Sequence, residues 1–502
     1  MLYFSKPATR MDIGLQATSK PLALNMPVKT LLLCMLVTTF FIACAKEKYV
    51  AKPINPTISS AKILAKDPLS ADFKTYLIKQ GYQETVLPFS SWGIDELTAS
   101  ALYHHTKLDV AKAQLALANA QLETAGQRQN PTLSGSLARS NQANGDIRPW
   151  AYGLNVEIPI ETAGKREIRI DEAQHLQAIA RIDVADTAWQ LRSQIAKDLL
   201  RYHENGVRQQ LLQQEVSTQS EIIIMLLKRV EVGVLSNTDV LSSKLLLQAK
   251  KNTLSVEKAK NQEIIAGLAA DAGLSLDKFK QLPIKPLELE VSLAKQIEML
   301  NANAFNKLQE RALLNRLDVR RSLEKYAVAE AKIKLEVAKQ TPDINITPGF
   351  IFDFGDKIWS LGISSLLNLM NKNQKLIAEA TQLREIEGAQ FEALQANIIG
   401  DLSIANGRWI AAQNNLTQAK QQQAAQQVYM QKLNKQFAAG ALDRLELTLA
   451  AMQNQLADSQ VTIMQFEMLN AANDIQDLLQ MPLDNNLNTI DLNTTNLNVM
   501  NP

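Results

Sequence analysis

Residues that could carry out chemistry are few in this chain, and their spacing assembles no reaction centre. The only adjacent histidines are His104 and His105. Neighbouring side chains on a helix point roughly 100° apart, so this pair cannot readily chelate one ion, and we expect it at the surface. The sequence has no His-Glu-x-x-His pattern, phosphate-cradling glycine loop or nucleophile elbow. We therefore predict that the chain is not an enzyme and needs no metal or cofactor.

The overall composition points towards long helices. The chain has 502 residues and a formal net charge of +2, which argues against nucleic acid as a partner because nucleic-acid binders carry a basic face. Aromatic residues make up 5% of the chain, and there are only 19 glycines and 16 prolines. Such a composition favours long helices or coiled coils over a compact α/β enzyme.

Both cysteines, Cys34 and Cys44, lie near the N-terminus, which leaves no disulfide framework or cysteine metal site for the body of the chain. The apolar run Thr30–Ala43 follows Lys29. It is too short for a spanning helix, which needs roughly 20 residues. A charged start, a short apolar centre and a small residue before cysteine predict a secretory signal peptide over residues 1–43.

Met26 is an alternative translation start, which would give a compact signal. The signal ends in "FIAC", which resembles the bacterial lipobox. That resemblance implies that Cys44 becomes the first residue of a mature lipoprotein and carries an acyl chain such as palmitate. The alternative is an ordinary signal peptide in which Cys44 has no role. Ala45 stands where Asp would resemble an inner-membrane retention signal, so the outer membrane is favoured.

The chain repeats itself at a long period. "GVLSNTDVLSSKL" begins at Gly233 and "GALDRLELTLAAM" at Gly440, an offset of 440 − 233 = 207. "LNVEIPIETAGKREIRIDEA" begins at Leu154 and "LGISSLLNLMNKNQKLIAEA" at Leu361, which gives 361 − 154 = 207 again. A period near 200 residues indicates a duplicated, domain-sized half rather than a solenoid.

Each half is predicted to contain a helix, two strands and a long helical hairpin. The first helices run from Asp95 to about Gln127 and from Leu317 to about Lys339, and prolines follow both. The long helix of the first half starts after Glu161 and returns over Thr238–Ala270. The predicted organisation is a lipid-anchored segment at 44–93, a first repeat at 94–273, an equatorial linker at 274–307, a second repeat at 308–484 and an Asn-rich tail without fixed structure at 485–502.

The strands alternate between apolar and polar residues, with a length of about 10 residues, as in outer-membrane barrel strands. The residues predicted to face lipid are Trp150, Tyr152, Leu154, Val156, Ile158, Trp359, Leu361 and Ile363. Those predicted to face a lumen are Asn155, Glu157 and Ser364. A soluble hairpin with one buried face is the alternative that periodicity leaves open.

A short strand that leads directly into a helix of roughly 100 Å suggests a membrane pore that continues off the membrane as a tube. Four strands cannot close a barrel, since known barrels start at about eight, and an open edge in lipid leaves backbone groups unsatisfied. Three chains would supply twelve strands. The predicted fold is mainly α with a small β part, internally duplicated, in which a helical coiled-coil barrel is continuous with a transmembrane β-barrel of a homotrimer.

Several motifs resemble the TolC family of outer-membrane efflux proteins, specifically the heavy-metal branch of CzcC-like and CusC-like lipoproteins. The resemblance covers about residues 92–482 and rests on "ELTASALYHHTKLDVAKAQLALANAQLETAGQRQNPTLSG", "IPIETAGKREIRIDEAQ" and "LNLMNKNQKLIAEA", together with the lipobox. The proline usual at the family's second strand-to-helix junction is missing from "ISSLLNLMN", which leaves the end of the fourth strand open.

This resemblance implies a passive exit duct in the outer membrane of a tripartite efflux system. Its implied partners are a periplasmic adaptor and an inner-membrane RND pump, and its implied cargo is heavy-metal cations. Two alternatives stay open. One is a lipid-anchored periplasmic coiled-coil scaffold without a pore, and the other is an exit duct for drugs or for a secreted peptide or protein.

The two helix turns are the predicted docking surface for the adaptor. They contain Val232, Gly233 and Val234 in the first half and Ala439, Gly440 and Ala441 in the second. The simpler interpretation is that each glycine supplies the backbone freedom of a tight turn. Small apolar groups at an exposed tip, however, usually mark a contact surface, and the family resemblance implies docking there.

Overall fold

The computed structural model describes residues 48–141, 148–300, 302–366 and 371–480. The predicted signal peptide, lipidation at Cys44, the alternative start Met26 and the Asn-rich tail lie outside the described residues. The chain divides into two units, residues 1–59 and 60–502. Helix α1 (Pro56–Leu64) begins in the first unit and ends in the second, and the elements that follow belong to the second unit.

The element order repeats, as the duplication predicts. The first half contains α2 (Ala71–Lys79), α3 (Ile94–His104), α4 (Thr106–Ala125), β1 (Thr132–Arg139), β2 (Trp150–Ile160), α5 (Lys165–Glu231) and α6 (Asn237–Asp271). Three helices connect the halves: α7 (Leu276–Phe279), α8 (Leu289–Met299) and α9 (Ala302–Asn315). The second half contains α10 (Leu317–Ala338), β3 (Ile344–Asp353), β4 (Asp356–Ser365), α11 (Gln374–Ala438) and α12 (Arg444–Leu479). The predicted fold class, mainly helical with a small β part, is confirmed.

The helix predicted from Asp95 to Gln127 is in fact two helices, α3 and α4. The chain leaves the helical conformation at His105, whose ψ is 124°, and the His105 ring accepts a hydrogen bond from the Lys107 amide at 3.1 Å to cap α4. Gly273 packs closely against the break. Its backbone comes so close that a Cβ there would lie 2.9 Å from the backbone of His104 and His105.

The expected surface position is wrong for His104. Its side chain is buried beside Phe73 and Tyr103, with ring centroids 5.3 and 4.7 Å away. Burial lowers the pKa of His104 to about 4, so the ring is neutral at pH 7. Sequence periodicity missed this because part of the cover, Phe73, comes from another helix, α2.

Within the described residues, the strands form one antiparallel sheet in the order β1-β2-β3-β4. Asn155 of β2 lies opposite Ser134 of β1 and Gly349 of β3. The β3–β4 connection is a two-residue turn in which Phe354 and Gly355 both have positive φ, 49° and 139°. Turns of this kind match the twist of a hairpin.

The strand register revises the offset between the halves. The helix turns repeat at 207 residues, but Trp150 corresponds to Trp359, an offset of 209, and Pro131 precedes β1 as Pro342 precedes β3, an offset of 211. Adding 211 to Leu133 and 209 to Val156, which are paired in the first hairpin, gives Ile344 and Ser365. These two residues are indeed paired in the second hairpin. Leu154 therefore corresponds to Ile363 rather than to Leu361.

The long helices pair as hairpins through apolar seams with polar contacts between them. Helix α5, with 67 residues, spans roughly 100 Å and runs beside α6. Polar contacts across this seam include a hydrogen bond from Asn205 to Glu257 at 2.7 Å, an ion pair of Lys250 with Glu215 at 2.5 Å and a hydrogen bond from Gln219 to Ser243 at 2.7 Å. Buried polar groups of this kind fix which residues lie side by side.

The apolar cores lie among the helices. One core joins α11 and α12 to the connecting helices and includes the fully buried Leu402, Met468 and Ile475. A second core joins α3 to α5 and α6 around Leu97 and Ile195, and smaller clusters lie elsewhere along the helices. The large apolar residues of the sheet, by contrast, are mostly exposed in the single chain.

Candidate channel wall and helix-turn surface

One side of the sheet, here called the apolar face, carries the residues predicted to meet lipid. Seven of them are exposed and Val156 is half-buried. Trp359, Leu361 and Ile363 are 82%, 70% and 73% exposed. A contiguous apolar surface of this kind marks contact with a membrane or another chain. That these residues face lipid stays a prediction.

Strand β3 adds apolar residues that the prediction did not name. Ile346, Phe350 and Phe352 lie opposite Ile158, Leu154 and Tyr152 and therefore share the apolar face. The ring centroids of Tyr152 and Phe352 are 4.9 Å apart, as are those of Phe350 and Trp359. The signal was available, because "INITPGFIFD" alternates in the same way as its neighbours.

The other side of the sheet, here called the polar face, carries Asn155, Glu157 and Ser364. Glu157 accepts a hydrogen bond from Asn345 at 2.7 Å. Gly349 lies opposite Asn155, and a Cβ at this glycine would sit 2.2 Å from the Asn155 side-chain oxygen. Only glycine leaves room for that amide, which shows how closely the small residues of this face pack.

A buried lysine joins the sheet to the first long helix. Lys165, 7% exposed, donates to the Asp343 carboxylate at 2.7 Å and to the Thr341 carbonyl at 2.6 Å. The Thr162 amide donates to the same carboxylate at 2.9 Å. Gly164, with φ of 67°, takes the left-handed turn that starts α5. These contacts hold the start of α5 against the segment that enters β3.

At the far end of each hairpin, all six predicted docking residues are exposed. Gly233 and Gly440 have φ values of 77° and 75°. In the first turn the Val234 amide bonds to the Arg229 carbonyl at 2.9 Å, and Ala441 repeats this bond in the second turn. Both are helix ends of the Schellman type. The space around each glycine is open, so the backbone conformation and not crowding requires glycine.

The structure brings the two helix turns together through an ion pair that the sequence did not reveal. Arg229, in the last turn of α5, pairs with Asp443, the N-cap of α12. The Glu446 amide and then Arg229 lower the pKa of Asp443 below its ordinary value. Leu445 and Met452 of α12 pack with Ile222 of α5 beneath the pair. The N-cap role of Asp443 can be recognised in the sequence, but its partner 214 residues away cannot.

Metal sites and membrane-spanning helices were the other features that could indicate a function within the described ranges. No group of three or more His, Cys, Asp or Glu side chains is placed to hold a metal ion. None of the helices that the structure describes has the length and apolar character needed to cross a membrane.

The repeated helix–strand–strand–hairpin order and the single shared sheet define a fold found in outer-membrane channel proteins. The outer membrane protein VceC from Vibrio cholerae aligns with a TM-score of 0.61 at 14% identity, over 78% of this chain and 97% of that one. CusC aligns with a TM-score of 0.62 at 14% identity, over 88% and 100%. The Campylobacter jejuni CmeC outer membrane channel aligns with 0.59 at 13% identity, over 87% and 93%.

The sequence of the first half is similar to one family. Residues 97–273 match the family model described as Outer membrane efflux protein, which is a family of non-enzymatic channels. A search of curated protein sequences gave no significant match.

Proposed function

We propose that this protein is the outer-membrane channel of a tripartite efflux system and a passive duct from the periplasm to the exterior. One observation carries the proposal. A sheet with one apolar and one polar face leads, within a few residues of each hairpin's end, into helices of 67 and 65 residues. The family match and the channel structures with the same fold support it.

The working form is a homotrimer with a twelve-stranded barrel. Within the part of the chain that the structure describes, strands β1 and β4 each have a free edge, and unpaired backbone groups are costly in lipid. The pairing of β2 with β3 joins the two halves of one chain. Because the halves are duplicates, the same pairing between β4 and β1 of another copy would close the barrel.

The helix turns are the docking surface for a periplasmic adaptor, which connects the channel to an inner-membrane RND pump. The exposure of Val232 and Val234, 72% and 68%, supports this assignment, since such side chains stabilise nothing within one chain.

The resemblance to CzcC-like and CusC-like proteins supports heavy-metal cations as the cargo. Cys44 would anchor the chain in the outer membrane through lipid.

Single-channel recording in a planar bilayer tests the duct against the scaffold. The purified trimer should give conductance steps, whereas a coiled-coil scaffold without a pore would give none.

Two variants at adjacent positions test which face of the sheet meets lipid. Leu154→Arg should cost about 2 to 4 kcal/mol of membrane stability if the residue lies near the bilayer midplane, while Asn155→Arg should still assemble. Equal loss of trimer in both variants would refute the assigned faces.

Mass spectrometry of the mature N-terminus tests the anchor. We expect an acylated Cys44 followed by Ala45. An unmodified residue other than Cys44 at the N-terminus would refute it. A single acyl chain binds membranes weakly, so Cys44→Ala should reduce assembly without abolishing the fold.

A further inference from the structure

The charged residues of the four strands are separated by sign between the two faces of the sheet. Three are acidic, and all lie on the polar face. Glu157 is in line with Asn155 on β2. Asp353 lies opposite Ala151, another polar-face position, and also opposite Asp356. No ion pair joins these three carboxylates to a basic side chain within the part of the chain that the structure describes.

The basic residues of the strands lie on the apolar face. Arg139 is opposite Trp150, with its guanidinium carbon 5.4 Å from the ring centroid. Lys357 is opposite Phe352, and Arg148, just before β2, also lies over the Phe352 ring at 5.9 Å. The separation by sign is therefore complete within the four strands, and the polar face of these described strands has a net negative charge.

The carboxylates form two levels along the strands. Glu157 stands near the end of the sheet that leads into the helices, while Asp353 and Asp356 flank the β3–β4 turn at the other end. Ala151, which pairs with Asp353, is six residues from Glu157 on β2, so the levels are roughly 20 Å apart. Glu157 is held in place by the hydrogen bond from Asn345.

We propose that the polar face of the sheet makes the barrel selective for cations, with Glu157 as one ring of carboxylates and Asp353 with Asp356 as a second. The proposal rests on the proposed channel, in which the polar face lines the lumen. Three copies would place three Glu157 carboxylates at one level and six aspartates at the other. Rings of acidic side chains favour cations in pores, and the cargo class that fits this wall is positively charged.

The reversal potential in a planar bilayer with a potassium chloride gradient tests the proposal on the full-length trimer. The wild-type channel should pass potassium over chloride by about threefold or more. The triple variant Glu157→Gln, Asp353→Asn and Asp356→Asn should bring that ratio close to one while conductance steps persist. Glu157→Gln alone should produce part of the change.

The matched control neutralises the other face. Arg139→Gln with Lys357→Gln removes two charges from the same strands and should leave the permeability ratio unchanged. Normal conductance with the wild-type ratio in the triple variant would overturn the inference and leave the channel intact. An anion-selective wild type would overturn it as well. A wild-type protein without any conductance would overturn the proposed channel and the selectivity with it.

Discussion

The two halves of the chain pass from strand to helix with different partners. In the first half, Lys165 is buried against Asp343 and the Thr341 carbonyl, which belong to the other half. In the second half, Asn373 bonds to the Glu336 side chain of its own half at 2.8 Å. The reason is the sheet order, because β2 lies beside β3 whereas β4 ends the described sheet. The contacts at the β2–α5 junction therefore indicate which contacts the β4–α11 junction would make if β4 paired with β1 of another copy.

The largest expected effect tests this comparison directly. Strand β4 corresponds to β2 at an offset of 209, and β3 corresponds to β1 at an offset of 211. Applied to the observed pair Asn155↔Gly349, these offsets predict that Ser364 (155 + 209) lies opposite Ala138 (349 − 211) of a neighbouring copy. Residues directly opposite each other in antiparallel strands have Cβ atoms about 4.5 to 5.5 Å apart. The double variant Ala138→Cys with Ser364→Cys should therefore form covalent trimers under mild oxidation, visible on denaturing gels.

The control for this cross-link moves one cysteine by a single residue. Ala138→Cys with Ile363→Cys puts the two thiols on opposite faces of the sheet, so it should stay monomeric on the gel, as should each single variant. Efficient cross-linking of the control, or none in the matched pair, would show that the two halves are not a guide to the contact between copies.

The next largest effect concerns the buried lysine. Lys165→Met leaves Asp343 without its charged partner and should cost about 2 to 3 kcal/mol, a figure reduced because the carboxylate is partly exposed. The matched control is Gln374→Met, since Gln374 also begins its long helix but is exposed. The midpoint of thermal trimer dissociation in detergent should fall clearly for the first variant and little for the second. Equal shifts would contradict the asymmetry.

The ends of the returning helices differ in their response to pH. In α6, burial and then the hydrogen bond and charge of Asp198 raise the pKa of Asp271 to about 7. In α12, burial raises the pKa of Asp477, but hydrogen bonds from Lys197 and Ser193 outweigh it and hold that pKa below its ordinary value. The same residue type thus faces an acid in one half and a base in the other.

These shifts have opposite consequences for stability. Asp271 binds a proton more tightly in the folded state, so the folded state loses stability as pH rises from about 4 to about 7, and Asp271→Asn should restore about 1 kcal/mol at pH 8. Asp477 stabilises the folded state at pH values above its pKa in the unfolded chain. This stabilisation is lost as the pH falls through its pKa in the folded state. Asp477→Asn should therefore destabilise at pH 7 and have less effect at low pH. Thermal denaturation of both variants from pH 4 to pH 8 measures this, and parallel profiles would contradict it.

The next prediction compares the two helix turns. The first exposes two valines and the second two alanines. Val232→Ser with Val234→Ser removes more apolar surface and should weaken adaptor binding several-fold more than Ala439→Ser with Ala441→Ser. Binding of a periplasmic adaptor to the solubilised trimer is the measurement. Cross-links from Val234 or Ala441 should reach the adaptor, and contacts confined to residues 283–290 would contradict docking at the turns.

Glycine at these turns can be tested separately. Gly233→Leu and Gly440→Leu should leave a trimer that inserts but does not export, because the left-handed backbone disfavours a side chain by about 1 kcal/mol and the docking surface changes. Gly→Asn at either position is the control, since Asn tolerates that conformation. Normal export by the leucine variants would show that these turns take no part in docking.

Local patterns predicted much of the fold. Helix α10 begins at Leu317 as expected, and the alternation in β2 identified which residues share a face. What the sequence could not show depends on contacts between distant segments. Gly273 packs against the helix break at His105 from 168 positions away, and the change in offset from 209 to 207 arises within the long helices, which have 67 and 65 residues. The pairing of Asp443 with Arg229 could not be predicted either, because the two residues are far apart in the sequence.

The polar contacts between α5 and α6 have a mechanical consequence. Sliding one helix along the other by a single turn, about 5.4 Å, would separate the buried Glu215 from Lys250, at a cost of several kcal/mol. The hairpin therefore resists axial slip, and a tilt at the sheet is transmitted along its whole length. A tilt of about 5° there would move a tip roughly 100 Å away by about 9 Å. Small rearrangements around Lys165 would thus be magnified at the helix turns.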